Sequence, residues 1–259
     1  MNNFSAMLWI ELRKAIRSRM PFWTTLGSLF MPLGIAFLIF LAKNPELSRK
    51  LGLVSAKADL IAYSATDWPS YLVLLAEIVS AGGFFFFILA ISWVFGREFA
   101  DGTLKDMLAV PVRRSSILLA KYSVVAAWSA GMALINLIFG LVIGAIIQLP
   151  GGSLSVILHG STVVAITVCL IIAVVLPFAL FASVGRGYLL PMALSVLTLI
   201  TANLMMVVGR AEYFPWAVPI VYAQGEGTLT PISYWIVIIT SLAGMLATYL
   251  WWMYADQNR

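Results

Sequence analysis

Charged residues, cysteine and histidine are scarce in this sequence. Only 10% of the 259 residues are charged, against about 25% in soluble domains, while 62% are hydrophobic and the mean hydropathy is +0.98. Cys169 is the only cysteine and lies in an apolar run, and His159 is the only histidine. The sequence therefore excludes a disulfide framework and a cluster of metal ligands. Its composition indicates a polytopic membrane protein, with a single membrane domain expected over residues 1–259.

Three features of other protein classes are also missing. The sequence has no Gly-x-x-x-x-Gly-Lys-Ser/Thr motif, so the chain is not expected to bind ATP by a P-loop. No small-residue cleavage site follows the basic N-terminal segment, so the first apolar run is predicted to stay in the membrane. The net charge of +5 comes from basic residues spread over several loops, which makes a nucleic-acid partner unexpected.

Six apolar runs are long enough to cross a bilayer, which takes about 20 residues of helix. The predicted fold class is therefore all-α, and the even number of spans places both termini on one side. Eleven of the 16 lysines and arginines lie on that side, which the positive-inside rule assigns to the cytoplasm. The predicted spans are 22–42, 71–95, 121–148, 157–183, 188–208 and 232–254.

The segment before the first span, residues 4–20, has the spacing of an amphipathic helix. Its apolar residues would share one face and its charged residues would occupy the others, as in a helix that lies on the inner membrane surface. A solvated extension that only supplies positive charge is the alternative. The apolar residues are Phe4, Met7, Leu8, Leu12 and Ala15, and the charged ones are Glu11, Lys14, Arg17 and Arg19.

Residues 209–231 form the other unusual segment. This loop is apolar and aromatic, but it is too short and too rich in proline to span the membrane. Tyrosine and tryptophan favour the membrane interface, and irregular backbone at that depth must be buried in protein or line a cavity. We therefore predict an outer re-entrant element before the last span.

Small residues and prolines indicate where the spans would meet or bend. Gly140 and Gly144 in the third span permit close helix approach, which favours packing within the subunit over a dimer seam. Pro32, Pro177 and Pro191 interrupt predicted spans and predict kinks, with or without a role in movement.

Residues 96–111, between the second and third spans, are the one concentrated polar block. Thr103 is placed to cap a helix, and Asp106 follows it at the third position of a Thr-x-x-Asp capping box. Gly102 permits a sharp entry and Pro111 ends the segment. The sequence therefore predicts a short water-facing helix between Gly102 and Pro111.

This short helix would have a single apolar knob. Leu104, Met107 and Leu108 fall at i, i+3 and i+4, which places them on one face. A helix of barely two turns is unstable alone in water, so it needs a docking surface. We expect a soluble partner to supply that surface.

The polar block resembles the signature that follows the second span in ABC-2 type permeases, the membrane subunits of type V ATP-binding-cassette (ABC) exporters. The six spans, the N-terminal amphipathic helix and the element before the last span are similar to that family too, so the resemblance extends over the whole chain. The residues that carry the signature are Glu98, Gly102, Thr103, Lys105, Leu108, Pro111 and Arg114, followed by residues 117–121.

The resemblance implies that the polar block contains a cytoplasmic coupling helix for an ATPase. The chain would dimerise with itself or with a related permease in the bacterial cell membrane and pair with two cytosolic ATPase subunits. Those subunits would bind ATP and Mg²⁺, and the chain itself would bind no cofactor or metal. Apolar side chains would enter a groove on the ATPase, while charged ones would fix the register. The coupling residues are Glu98, Asp101, Gly102, Thr103, Leu104, Lys105, Met107, Leu108, Pro111 and Arg114.

A second set of residues is assigned to a substrate path. Glu77 is an acidic residue well inside a predicted span, where a carboxylate is a functional candidate by default. Pairing with a local hydroxyl, or extension of the side chain to the outer interface, is its alternative role. Four consecutive phenylalanines cover every face of a helix, so some must meet protein or a path; lipid contact and packing are the alternative. The set is Glu77, Phe84, Phe85, Phe86, Phe87, Tyr213, Phe214 and Trp216.

The sequence favours a transport subunit over two other classes of protein. An exporter of this kind would move a hydrophobic or amphipathic substrate, such as an antimicrobial peptide, an antibiotic or a lipid-like compound. A polysaccharide or a lipid-linked glycan is the alternative substrate. A non-transporting sensor or scaffold would use the same polar block to recruit a partner. An intramembrane enzyme would need paired catalytic groups within the spans, and the lone His159 and Glu77 make a poor set.

Overall fold

The computed structural model describes residues 3–43, 67–225 and 227–254, and every regular element in those ranges is helical. The predicted all-α class is confirmed. A 3-10 turn, Ala211–Tyr213, precedes the tenth helix. The α-helices of these ranges are α1 (Asn3–Arg17), α2 (Met20–Ser28), α3 (Phe30–Lys43), α4 (Trp68–Ala100), α5 (Leu104–Ala109), α6 (Arg114–Ile146), α7 (Leu154–Val175), α8 (Phe178–Val184), α9 (Leu189–Val207), α10 (Val218–Gln224) and α11 (Pro231–Tyr254).

Six stretches of these helices are long and apolar enough to cross a membrane, as predicted. α2 and α3 make the first span, α7 and α8 make the fourth, and α4, α6, α9 and α11 make one each. α4 and α6 have 33 residues each, or about 50 Å at 1.5 Å per residue, so they extend beyond the predicted spans. Their inner ends, on the side that the positive-inside rule assigns to the cytoplasm, contain charged residues that pair within the chain.

α4 occupies the centre of the bundle, where it packs against α6, α7, α8 and α10. Glycines let α6 approach closely. A Cβ added to Gly140 would lie 2.8 Å from the Leu75 side chain of α4, and one added to Gly144 would lie 2.7 Å from Trp68. The Tyr71 hydroxyl also donates to the Gly140 carbonyl over 2.8 Å. The prediction that these glycines pack within the subunit is confirmed.

Proline bends the fourth span, as predicted. α7 ends at Val175 and α8 begins at Phe178, with Pro177 between them. α11 crosses this kink, and Gly244 is so close that an added Cβ would lie 2.5 Å from the Pro177 Cα. Pro191 lies in the first turn of α9, where proline is tolerated, so it begins a helix instead of bending one.

Gly244→Ala is expected to destabilise the protein by roughly 1–3 kcal/mol, because the new methyl group would collide with the Pro177 backbone and force α11 to shift. Gly131→Ala is the matched control, since a Cβ at Gly131 meets nothing within 4 Å. Alanine should stabilise that helical position by about 0.5–1 kcal/mol. Thermal unfolding of the two purified variants tests the contact, and equal transition temperatures would contradict it.

The chain between α9 and α11 follows the predicted re-entrant path. The Thr230 hydroxyl donates to the Glu212 carboxylate over 2.9 Å, so the segment begins and ends beside the outer end of α11. Between these residues the chain descends until the Trp216 indole donates to the Val174 carbonyl, 2.8 Å away and deep in the fourth span. α10 then packs against α4 and α7. The re-entrant element therefore brings aromatic residues into the interior of the bundle.

Candidate functional site

The polar block begins with a tight turn at Gly102. This glycine has a φ of +70°, in the left-handed region. Its amide donates to the Phe99 carbonyl over 3.4 Å, and the Thr103 amide donates to the Glu98 carbonyl over 3.0 Å. The two bonds close α4 in a Schellman turn, a geometry that favours glycine at the residue of positive φ. The sharp entry predicted at Gly102 is confirmed.

The predicted capping box at Thr103 is wrong. The Thr103 side chain makes no capping hydrogen bond to α5. Its φ of −90° and ψ of 2° differ from the extended conformation from which a threonine hydroxyl reaches the first amides of a helix. The backbone starts the helix instead, since the Met107 amide donates to the Thr103 carbonyl over 3.1 Å.

α5 turns its apolar side towards the chain itself. Leu104 is 7% exposed and belongs to the hydrophobic core, and Met107 packs half-buried against that core. This placement differs from the expected insertion into a partner, because the docking surface that a six-residue helix needs comes from its own chain. The side chains of Lys105 and Leu108 lie outside the described residues.

The opposite side of the polar block is open. Val110, just after the end of α5, is 48% exposed and gives this surface an apolar side chain. Asp101 is held at its edge by Arg97, whose Nε lies 3.1 Å from Asp101 Oδ2 and whose guanidinium lies over the Trp93 ring. We call the exposed residues on this side the coupling face, after the role that the family resemblance implies for the polar block. They are Asp101, Gly102, Thr103, Asp106, Ala109, Val110 and Pro111.

Two lysines and two glutamates form a buried four-charge cluster beside the polar block. Lys121 Nζ of α6 lies 2.8 Å from Glu98 Oε1 of α4 and 3.2 Å from Glu11 Oε2 of α1. It also donates to the Val94 carbonyl over 2.7 Å. Lys14 Nζ of α1 lies 2.8 Å from Glu11 Oε1 and 3.1 Å from Glu98 Oε1. The cluster therefore joins α1 to the inner ends of α4 and α6.

The four-charge cluster is largely closed to solvent. Lys121 has no exposed surface and Glu98 is 3% exposed, while Lys14 keeps about a third of its side chain exposed. Partial burial acts to lower the pKa of Lys14, but the carboxylates of Glu11 and Glu98 outweigh it and raise the pKa above the ordinary lysine value. Lys14 thus stays protonated. Each buried charge depends on the others, because an unpaired charge in the interior is costly.

This burial changes the interpretation of two residues. Glu98, assigned to a contact with a partner, faces its own chain, because α4 continues through Ala100 and its last turns lie against α1 and α6. Glu11 lies on the buried face of α1 with Met7 and Ala15, since Lys121 compensates its charge. Sequence reasoning missed Lys121. The sequence signal that could have indicated this pair is that Glu98 follows one long apolar run and Lys121 begins the next.

Arg114, assigned to coupling, contacts the last span. Its Nη1 donates to the carbonyls of Trp252 and Met253, the latter over 3.2 Å. These carbonyls belong to the last turn of α11, where a helix leaves acceptors unsatisfied and favours a cation. Arg114 therefore fixes the inner end of α11 to the start of α6.

Comparison with known proteins decides the family. The sequence profile described as ABC-2 family transporter protein matches residues 7–203, from α1 into α9. This chain belongs to the ABC-2 family. It is also 28% identical over 206 residues to the bacitracin transport permease protein BCRB of Bacillus licheniformis, a match that covers 76% of this chain and 94% of that protein. The chain is thus an integral membrane permease subunit of an ABC transporter, in a family that associates with ABC ATPases.

The match contains the inner features of this ABC-2 permease. The coupling face and all members of the four-charge cluster lie within residues 7–203. The re-entrant element and α11 lie beyond residue 203.

The structure brings together three of the eight residues assigned to the substrate path of this permease. Phe84 packs edge to face on Phe178, with 5.8 Å between ring centroids, and Phe178 packs on Trp216 at 6.4 Å. Phe214 lies beside Trp216 at 5.3 Å. The aromatic group, formed by these four residues, connects α4, α8 and the re-entrant element.

The other aromatic candidates lie elsewhere. Phe87 is buried in the core, and Phe85 packs against Phe86 with 5.8 Å between ring centroids. A Cβ added to Gly27 of the first span would lie 3.2 Å from the Phe86 ring. Tyr213 is 58% exposed at the outer end. The phenylalanine run therefore serves several contacts, of which only the one at Phe84 reaches the aromatic group.

Glu77 has a local partner. Its half-buried carboxylate lies close enough to the Gln224 side chain, at the end of α10, for the two groups to interact. The contact joins the outer half of α4 to the re-entrant element. The neighbour is local, as in the alternative role for this residue, but it is an amide and not the hydroxyl that was expected.

A cavity of about 480 Å³ opens between the outer ends of α4 and α7. Asp67, Ser70 and His159 give it a polar rim, and Leu72 and Val163 belong to its apolar lining. The hydrogen bonds from Ser70 lower the pKa of the Asp67 carboxyl below its usual value. Ligand pockets commonly have volumes of about 300–1,000 Å³, so this cavity has room for part of an amphipathic molecule.

Proposed function

We propose that this permease forms an exporter with a second permease chain, identical or related, and two cytosolic ATPase subunits. The exporter would move a hydrophobic or amphipathic substrate out across the bacterial cell membrane, with both termini of the permease in the cytoplasm. ATP and Mg²⁺ would be bound by the ATPase subunits. The coupling face is the observation that carries this proposal, because it exposes a short helix beside the inner ends of the second and third spans.

Rigid connections would transmit a movement of the coupling face to the spans. The Gly102 turn ties α5 to α4, and Leu104 anchors α5 in the core. The four-charge cluster then ties α4 to α1 and α6. Closure of two ATPase subunits would push on these connected helices and shift the permease between inward and outward states.

The outer half of the permease supports an apolar or amphipathic substrate. The outer cavity offers apolar surface with a few polar groups, the composition that such ligands favour. In the aromatic group, Phe84 and Phe178 are buried, so Phe214 and Trp216 are its members with surface that a substrate could contact. The similar protein from Bacillus licheniformis is described as a bacitracin transport permease. A peptide antibiotic such as bacitracin is therefore the first substrate to test.

Val110→Asp is expected to weaken the association with the ATPase about tenfold or more, the equivalent of about 1.4 kcal/mol. The substitution places a charge on an exposed apolar side chain of the coupling face, and the exposure of Val110 leaves the core intact. Val184→Asp is the control, since Val184 is 42% exposed at the inner end of α8, outside the polar block. Co-purification in mild detergent, followed by ATP hydrolysis, measures the effect.

Cells that express the permease with its ATPase provide the test of export. The complex is expected to raise the bacitracin concentration that the cells tolerate, and Val110→Asp should abolish that protection while the chain stays in the membrane. Full ATPase recovery with Val110→Asp would contradict the coupling assignment. An ATPase complex that does not raise the tolerated bacitracin concentration would contradict the substrate, and a chain that recovers no ATPase would favour a sensor or scaffold.

A further inference from the structure

α1 has a second apolar face that the described chain leaves exposed. Trp9, Leu12 and Ile16 are 59%, 36% and 65% exposed. They recur at i, i+3 and i+7, so they form one stripe along the helix. The opposite face, with Met7 and Glu11, packs against the rest of the chain. α1 is therefore apolar on two sides, and the outward apolar stripe needs another apolar environment.

The apolar stripe continues into the membrane surface of the first span. Only Ser18 and Arg19 separate α1 from α2, and Phe22 and Trp23 near the start of α2 are 62% and 60% exposed. On its other side, α1 is held by the four-charge cluster at the inner ends of α4 and α6. Both contacts place the stripe at the inner boundary of the bilayer.

Arginines without protein partners border the apolar stripe. Arg13 and Arg17 follow Trp9 at i+4 and i+8, and both are exposed. Within residues 3–43, 67–225 and 227–254, no side chain forms a hydrogen bond or ion pair with Arg13, Arg17 or Arg19. Lys14, on the inward side of the same helix, has two carboxylate partners. The outward cations of α1 thus have no counter-charge in the described chain.

We propose that this surface of α1 is a docking site for anionic phospholipids of the inner leaflet. The arginines bind the headgroup phosphate, and the apolar stripe enters the boundary with the acyl chains. A helix of this pattern binds a membrane through its buried apolar area and through attraction between its basic residues and anionic lipids. The arginines therefore select a lipid with a net negative headgroup, and the apolar stripe contributes the contact with its acyl chains. The site belongs to the permease chain alone and does not depend on export or on an ATPase.

The test uses the purified full-length permease in mild detergent, titrated with short-chain phosphatidylglycerol and, separately, with phosphatidylcholine. Phosphatidylglycerol is expected to raise the Tm in a saturable manner, and phosphatidylcholine to raise it much less. Each basic residue near a membrane surface contributes about fivefold, so Arg13→Gln/Arg17→Gln should weaken phosphatidylglycerol binding about thirtyfold. The control, Arg113→Gln/Arg210→Gln, removes the same charge from exposed sites outside α1 and should keep the wild-type affinity.

A separate experiment tests the contribution of the apolar stripe to lipid binding. Ile16→Asn should weaken phosphatidylglycerol binding with all arginines present, and glycerol phosphate, the headgroup without acyl chains, should give no shift. Equal shifts with phosphatidylcholine, or an unchanged phosphatidylglycerol affinity in Arg13→Gln/Arg17→Gln, would overturn the proposal. A response to glycerol phosphate equal to that with phosphatidylglycerol would replace the lipid site with a free anion site.

Arg19 separates lipid binding from stability. Its φ of 58° lies in the left-handed region, where glycine is favoured over arginine. Arg19→Gly should therefore raise the Tm in detergent without lipid, and at the same time weaken phosphatidylglycerol binding about fivefold. A loss of affinity in a more stable protein cannot come from unfolding. An unchanged affinity would remove Arg19 from the site.

Discussion

Lys121→Met is expected to destabilise the permease by about 3–5 kcal/mol, the usual effect of removing one partner from a buried ion pair. The variant would leave Glu98 and Glu11 close together, with Lys14 as their only cation within the four-charge cluster. Total stabilities of about 5–15 kcal/mol make this a large loss. Thermal unfolding and size-exclusion elution of the purified chain measure it.

A second substitution distinguishes an unbalanced charge from the loss of the hydrogen bonds that Lys121 donates. Lys121→Met/Glu98→Gln restores one charge of each sign in the cluster and should recover much of the stability. Lys14→Met should cost less than Lys121→Met, because a third of the Lys14 side chain is exposed. A double variant as unstable as Lys121→Met would show that the hydrogen bonds of Nζ, such as the one to the Val94 carbonyl, matter more than the balance of charge.

Gly102→Val is expected to abolish ATPase coupling, whereas Gly209→Val should leave it intact. Both glycines close a long helix with the same pair of turn hydrogen bonds, at φ values of +70° and +71°, and a Cβ at either position meets nothing within 4 Å. Valine at positive φ should therefore cost both variants a similar amount, about 1–2 kcal/mol. A backbone that relaxes to relieve this strain would change the direction of the chain after the glycine. At Gly102 that chain is α5 with the coupling face, whereas at Gly209 it is not.

Three measurements separate the two glycine variants. Thermal unfolding should show similar losses of stability, while co-purification of the ATPase and its hydrolysis rate should fall only with Gly102→Val. If both variants keep the coupling of the wild-type protein, the direction of α5 does not matter for binding of the partner. Equal loss of coupling in both would mean that stability alone controls the complex.

The spans were predictable because each depends mainly on its own residues. A long apolar run has few alternatives to a membrane helix, and basic residues end such runs in a recognisable way. The turn at Gly102 and the bend at Pro177 were predictable for the same reason, because each depends on the backbone preference of a single residue. The re-entrant element was predictable from its aromatic residues and prolines.

Pairings between distant residues were not predictable from one sequence. Glu98 was assigned outward because it belongs to the polar block by position, yet Lys121 and Lys14 turn it inward across 23 and 84 residues of chain. Leu104 was assigned to a partner because a short helix needs a docking surface, and nothing local indicates which surface it finds. The roles of the coupling face and the aromatic group remain predictions.

The four-charge cluster also has a consequence for how the protein is made. Glu11 and Glu98 both precede Lys121 in the chain, so a ribosome delivers both carboxylates before it delivers the lysine. The third span would otherwise bring an uncompensated ammonium group to the edge of the lipid. With this order of synthesis, both acidic side chains are already present when the third span leaves the insertion machinery, so Lys121 can pair with them at once. The reverse order would leave that cation without a partner during insertion.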